Sequence, residues 1–170
     1  MTPTNPDQPR GHANNKGSWT SKQQGAPDTS LPERKPGQLG GYELKGFKTL
    51  NTGMEGGAFT ASIYKDGRRA ILVSYDGNGG NYTYTDAATG RRHMGEAIDE
   101  FIEFAKKATE QSFEPEDHLI GVLAYLRDVE KMAVKGGLNR DEVMEYNLGL
   151  DQDFTDRDRA ILLNPDIVNT

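Results

Sequence analysis

The sequence predicts an α+β protein in which an antiparallel β-meander of about four strands is followed by three to four helices packed on one of its faces. Residues 41–86 alternate runs rich in Tyr, Ile, Val, Phe and Thr with clusters of Gly, Asp and Asn, as strands joined by tight turns do. Residues 91–170 instead repeat apolar side chains every three or four positions, which is the period of amphipathic helices. Residues 41–170 are therefore expected to form a single domain.

Residues 1–40 precede this domain as a segment rich in Pro, Gly and Asn, with few apolar side chains. Such a segment buries too little apolar surface to offset the entropy lost on ordering, so we expect a disordered N-terminal tail. Trp19 is the exception, because a large apolar side chain in a polar tail can anchor a partner protein. The alternative is that Trp19 packs against its own domain.

The dipeptide Asp66-Gly67 predicts a hairpin with a two-residue type I′ turn, since both central positions of that turn need positive φ. The first strand is expected within residues 39–52, centred on residues 42–50. In the register set by the turn, the face expected to cover the helices is nearly all apolar. It pairs Ile63 with Ala70, Ala61 with Leu72 and Phe59 with Ser74. After a longer turn at residues 76–80, Tyr82 and Tyr84 share one face of the last strand.

Four helices are predicted from apolar spacing and end signals. The first ends near Gln111, and its apolar face comprises Met94, Ile98, Phe101, Ile102 and Ala105. The second begins at Pro115 and stops at Gly136-Gly137, and its buried face comprises Leu119, Val122, Leu123, Leu126, Val129 and Met132. Capping boxes begin two shorter helices, which run through about residues 148 and 163. These boxes pair Asn139 with Glu142 and Thr155 with Asp158.

The composition excludes several classes of function. The chain has no cysteine, which rules out disulfides, thiol catalysis and thiolate zinc sites. No apolar run approaches the about 20 residues of a membrane helix, and the first residues lack a secretory signal, so no membrane association is expected. The three histidines, His12, His93 and His118, lack the paired spacing of a metal site, and no Gly-x-Ser-x-Gly motif accompanies them. We therefore expect no catalytic residue, no metal and no cofactor.

The meander carries a pattern that resembles a group of small uncharacterised proteins of bacteriophages and mobile elements. The shared positions are Gly53-x-Glu55-Gly56, Phe59, Ile63-Tyr64-x-Asp66-Gly67-Arg68 and Asp76-Gly77-x-Gly79-Gly80. They cover about a fifth of the chain and consist mostly of turn glycines and apolar strand residues, which report a fold rather than an activity. The resemblance implies a mobile-element origin. Because the chain has no cysteine, no membrane helix and no secretory signal, we expect it in the cytoplasm, in this case that of a host cell.

The charge of the chain is unevenly divided. Residues 1–95 hold 12 Lys and Arg against 8 Asp and Glu, whereas residues 96–170 hold 8 against 18. An acidic helical half can occupy the basic groove of a protein that handles nucleic acid, although acidic helices are often only solvated surfaces. With the resemblance, this predicts a non-enzymatic phage accessory protein that blocks a host defence complex acting on nucleic acid, of the anti-CRISPR or anti-restriction type. The predicted contacts are Trp19, Glu96, Asp99, Glu100 and Glu103.

A second hypothesis is a module that binds a small ligand or a nucleotide on one surface of the sheet. Arginines would contact phosphate and tyrosines would stack on a base. The residues proposed for this surface are Arg68, Arg69, Tyr82, Tyr84, Arg91 and Arg92. General binding of nucleic acid is not expected, because the isoelectric point near 5.1 opposes contact with phosphates.

Overall fold

The computed structural model describes residues 35–50, 57–150 and 153–168. Trp19 and the rest of the tail before residue 35 lie outside the described residues, as does the Gly53-x-Glu55-Gly56 part of the meander pattern. The predicted α+β arrangement is confirmed, since an antiparallel sheet is followed along the chain by four helices.

The sheet has five antiparallel strands that lie side by side in chain order. The strand predicted within residues 39–52 is confirmed at its centre, residues 42–50. An additional first strand of two residues lies at positions 38 and 39, where a disordered tail was predicted, because Leu39 is buried in the core. The strands are β1 (Gln38–Leu39), β2 (Tyr42–Leu50), β3 (Ala58–Lys65), β4 (Arg68–Tyr75) and β5 (Thr83–Asp86).

The hairpin between β3 and β4 has the predicted turn but not the predicted register. Asp66 and Gly67 have φ values of 49° and 80°, as a type I′ turn requires. Next to the turn Tyr64 pairs with Arg69, as expected, but the register then shifts and Ile63 pairs with Ile71. Ala70 is thus the extra residue of a β-bulge, which the sequence gives no means of recognising.

The bulge exchanges the two faces of β4 relative to the prediction. Phe59, Ala61 and Ile63 of β3 are buried, as predicted. On β4, however, Ile71 and Val73 are buried opposite them. The prediction that Leu72 and Ser74 lie on this face was wrong, because side chains alternate along a strand and one extra residue moves every later side chain to the other side. Leu72 accordingly points away from the helices and is 39% exposed.

The first two helices pack on the face of the sheet that carries Ile63 and Ile71, and the last two pack on those helices. The four helices are α1 (Glu96–Thr109), α2 (Pro115–Gly136), α3 (Arg140–Leu150) and α4 (Asp156–Leu163), followed by a short 3₁₀ turn at Pro165–Val168. The predicted ends of α2 are confirmed, and Thr155 with Asp158 forms both hydrogen bonds of a capping box. At α3, Asn139 Oδ1 accepts from the backbone N–H groups of Asp141 and Glu142.

Two methionines assigned to the core are exposed instead. Met94 precedes α1 and is 62% exposed, because the helix begins only after Gly95. Met132 is 54% exposed, since at 3.6 residues per turn Ala133 continues the buried stripe of Leu126 and Val129. The predicted apolar faces of both helices are otherwise correct in their central residues, which contact the sheet in one continuous core.

Arg140 joins the last three helices. Its guanidinium donates to Glu130 Oε1 of α2 at 3.0 Å and to the backbone carbonyl oxygens of Leu162 and Leu163 at the end of α4. Glu130 is almost fully buried, and its other oxygen accepts from the backbone N–H of Gly37, just before β1. A buried carboxylate needs such partners to offset the loss of water. This network fixes the helical layer to the edge of the sheet.

Candidate functional site

The exposed side of α1 carries the four carboxylates that the sequence predicted as a partner surface. Ile98, Phe101 and Ala105 face the core. The opposite side of the helix holds residues 96, 99, 100 and 103, whose spacing of three and four places them on one stripe. We call this stripe the acidic face of α1, and all four of its members are exposed: Glu96, Asp99, Glu100 and Glu103.

The charges of the acidic face are mostly not neutralised within the described part of the chain. Only Glu103 has an ion pair there, with Lys106 at 2.7 Å, and this contact lowers the pKa of Glu103. Like charges three or four residues apart destabilise a helix by about 0.2–0.5 kcal/mol per pair. The helix dipole compensates Glu96 and Asp99 in the first turn. Glu100 lies beyond that turn, so the local structure offers no stabilising reason for its charge.

Asp86 holds the start of α1 against the sheet. Its Oδ1 accepts from the backbone N–H groups of Ala88 and Thr89 and from the hydroxyl of Thr89. The carboxylate also accepts from the backbone N–H of Ala97 in the first turn of α1, and these donors lower the pKa of Asp86, with Thr89 as the main cause. The acidic face is therefore displayed in an orientation that the end of β5 determines.

Asp117, in the first turn of α2, joins that helix to β5 and the residues just before it. It accepts from the Tyr84 hydroxyl at 2.6 Å and from the backbone N–H of Tyr82 at 3.2 Å. Burial and the neighbouring carboxylate raise the pKa of Tyr84, so its hydroxyl remains a neutral donor. Tyr84 is 4% exposed. It therefore belongs to the core rather than to a surface on which a base stacks.

The residues proposed for a ligand surface do not come together. Tyr82 and Tyr84 contact α2 through Asp117, on the helix side of the sheet. Arg68 pairs with Lys65. The Lys65 ammonium lies 4.3 Å from the ring centroid of the core residue Tyr42, so this pair is also on the helix side of the sheet. Arg69 pairs with Tyr64 on the other side of the sheet.

The second pair of arginines is divided in the same way. Arg92 bridges Thr85 and so shares its side of the sheet, away from the helices. The carbonyl of Arg91 accepts from the backbone N–H of the buried Asp86. Arg91 is therefore the cross-strand neighbour of Asp86 and shares its side of the sheet, which is the helix side. Alternation along the strands therefore splits both arginine pairs across the sheet, and the six residues do not share a surface.

The side of the sheet that faces away from the helices forms a second charged surface, which the sequence analysis missed in part. The pairing of the strands places its side chains in four rows across the sheet. We call this surface the outer sheet face, and its rows are Glu43, Tyr64 and Arg69; Lys45, Ser62, Leu72, Thr85 and Arg92; Lys48, Thr60, Ser74 and Thr83; and Leu50 and Ala58. Lys45 and Lys48 were not predicted, because the bulge within β2 hides their common side.

His118 has a partner that the spacing of histidines along the chain does not reveal. Its Nε2 lies 2.9 Å from Oδ1 of the fully buried Asp158, while Oδ2 of Asp158 accepts from the backbone N–H and the hydroxyl of Thr155. Oδ1 of Asp158 therefore joins the first turn of α2 to the start of α4, while Oδ2 completes the capping box of α4. This contact links two elements 40 residues apart.

Comparison of the chain with protein families, with curated proteins and with solved structures found no match. Among the described residues, no helix is long and apolar enough to cross a membrane. The same residues contain no group of three or more His, Asp or Glu side chains arranged to hold a metal ion.

Proposed function

We propose that this protein is a non-enzymatic accessory protein of a phage or mobile element that binds the nucleic-acid-binding surface of a host defence complex and blocks it. The observation that carries this proposal is the acidic face of α1, with four exposed carboxylates on one side of a single helix. The meander pattern shared with phage and mobile-element proteins supports the proposed origin.

The spacing of the carboxylates supports mimicry of a nucleic-acid strand. Residues 96 and 103 are separated by about 10 Å along the helix axis, so the four charges follow one another every 3.5 Å or so along that axis on average. One strand of DNA carries a phosphate every 3.4 Å or so along its axis. The acidic face of α1 therefore has a density of negative charge along its axis similar to that of a DNA strand, and it can contact the same row of Lys and Arg side chains on a target protein.

The charge of the whole helical half favours fast association with a basic target. Residues 96–170 hold 18 Asp and Glu against 8 Lys and Arg, so the field around the helical layer is negative well beyond α1. Such a field steers a positively charged groove toward the helices and repels competing nucleic acid. Because exposed charges are screened by salt, the proposed contact weakens as the ionic strength rises.

A capture experiment with charge-reversed variants tests this function. Tagged protein is incubated with a nuclease-treated lysate of the bacterial host at low and high salt, and bound proteins are identified by mass spectrometry. The test variant carries Glu96→Lys and Glu100→Lys. The matched control carries Glu142→Lys and Glu145→Lys, which reverse two exposed carboxylates of α3 that are also unpaired in the described structure.

The proposal expects one stoichiometric complex that handles nucleic acid on the wild type and on the α3 control at low salt. Its yield should fall at least tenfold on the α1 variant and also at high salt. Equal capture by the two variants would exclude the acidic face as the contact.

A further inference from the structure

The outer sheet face presents positive charge on the side of the molecule opposite the acidic helices. It carries Lys45, Lys48, Arg69 and Arg92, and all four side chains are exposed. Its one carboxylate, Glu43, pairs with Lys45 at 3.0 Å. Lys48, Arg69 and Arg92 make no ion pair within the described residues. Three cations on this face are therefore available to an anionic partner.

Hydroxyl groups lie between these cations. Thr85 stands beside Arg92 in one row, and Thr60, Ser74 and Thr83 continue the row that begins with Lys48. Hydroxyls and backbone groups supply many of the contacts that proteins make to phosphate oxygens, together with Arg and Lys. Leu72 and Leu50 are the large apolar side chains exposed on this face, and they lie two rows and two strands apart. The face therefore does not offer the continuous apolar centre of a stable protein interface.

The rows of this face carry a single aromatic side chain, Tyr64. The Lys45 ammonium lies 4.6 Å from its ring centroid and occupies one side of the ring. Stacking sites for a single strand use several aromatic rings on which successive bases lie, and these rows do not supply such a series. The chemistry that remains is contact with phosphates, which does not depend on base sequence.

The acidic helices do not cancel this local charge at short range. A helix is about 10–12 Å across with its side chains, and the exposed carboxylates of α1 lie on the side away from the sheet. The Debye length is about 8 Å at physiological ionic strength. An anion in contact with the outer sheet face therefore responds to the nearby Lys and Arg side chains more than to the net charge of −6.

We propose that the outer sheet face binds the sugar–phosphate backbone of single-stranded nucleic acid, with Lys48, Arg69 and Arg92 on phosphates. A single strand is flexible enough to follow a twisted sheet, and no element projects from this face to enter the groove of a duplex within the described residues. This second site is distinct from the acidic face of α1, so either surface can fail its test without affecting the other.

Fluorescence anisotropy with a labelled oligothymidylate of about 20 nucleotides tests the site on the full-length protein. The test variant is R69E/R92E. The control is R68E/R91E, which makes the same change in charge. Arg68 and Arg91 are exposed neighbours of the tested arginines, but they lie on the side of the sheet that faces the helices. Sodium polyglutamate, matched to the oligonucleotide in charge, serves as a competitor, and the thermal midpoint of each variant checks that it is folded.

The expected result is weak binding at 50 mM salt that falls about 20-fold by 200 mM, as roughly three phosphate contacts to a single strand imply. R69E/R92E should lose at least tenfold in affinity, and R68E/R91E should stay within about threefold of the wild type. Equal losses in the two variants, or no binding at 50 mM salt, would overturn the assignment. Equal competition by polyglutamate would also overturn it, and would indicate an acidic protein as the partner.

Discussion

Asp86 shows how one side chain can position a surface on the opposite layer of the protein. It is 4% exposed, and its carboxylate accepts four hydrogen bonds, three from the following turn and one from the first turn of α1. An amide at this position offers one acceptor oxygen and brings donors toward the N–H groups that Asp86 now satisfies. The negative charge is therefore part of how the sheet holds the helix.

The lowered pKa of Asp86 predicts a specific pH dependence. Its usual value is 3.8, and the folded protein holds it below that value, so its contribution to stability is complete above pH 3.8 and is lost as the pH falls through the folded-state pKa. Asp86→Asn should therefore be less stable than the wild type at pH 7, and the gap should narrow below about pH 4.

Urea denaturation between pH 7 and pH 2.5 or so measures this gap. Asp99→Asn removes an exposed carboxylate of α1 and serves as the control, with little change in stability at neutral pH. A gap between wild type and Asp86→Asn that is as wide at the lowest pH as at pH 7 would contradict the role assigned to the charge.

At the scale of elements, the start of α1 depends on a glycine. Gly95 precedes the helix with φ of 148° and ψ of 150°, a conformation open almost only to glycine. A Cβ added there would also collide with the carboxylate of Asp86. Gly121, by contrast, lies exposed within α2 and has open space where a Cβ would be.

These two glycines predict opposite effects of the same substitution. Gly95→Ala should lower the free energy of unfolding by about 1–3 kcal/mol, since it adds both backbone strain and a collision. Gly121→Ala should raise it by about 0.5–1 kcal/mol, because alanine is the better helix former. Urea denaturation of both variants at neutral pH measures the difference. A stabilising effect of Gly95→Ala would refute the account of how α1 begins.

Elements defined by local rules could be predicted from the sequence, and features that depend on distant partners could not. Pro115 and Gly136-Gly137 delimit α2, and Asp66-Gly67 makes the hairpin turn, because capping and positive φ are properties of a few neighbouring residues. The bulge at Ala70 has no such marker, and it decided which side chains of β4 enter the core. Likewise, the contact of His118 with Asp158 bridges 40 residues and leaves no pattern in the sequence.

In the whole molecule, the uneven distribution of charge along the chain becomes two surfaces of opposite charge, the acidic face of α1 and the basic outer sheet face. The excess of acidic residues after position 95 was visible in the sequence, and so was the stripe on α1. The outer sheet face was not, because Lys48, Arg69 and Arg92, which have no ion pair among the described residues, come from β2, β4 and the segment after β5 and meet only through strand pairing. A protein with these two surfaces can meet a basic protein on one side and a nucleic-acid strand on the other.

If the acidic face of α1 takes the place of nucleic acid on its target, the target cannot hold duplex DNA and this protein at the same surface, and a competition experiment decides the question. The complex captured on tagged protein is titrated with duplex DNA, and the released fraction is measured. The protein used carries R69Q/R92Q, so that the outer sheet face does not itself retain DNA. We expect duplex DNA to release all of the captured complex. We also expect the DNA concentration that releases half of it to rise in proportion to the concentration of the tagged protein. DNA that joins the captured complex without releasing it would contradict the claim, because the two would then occupy different surfaces of the target.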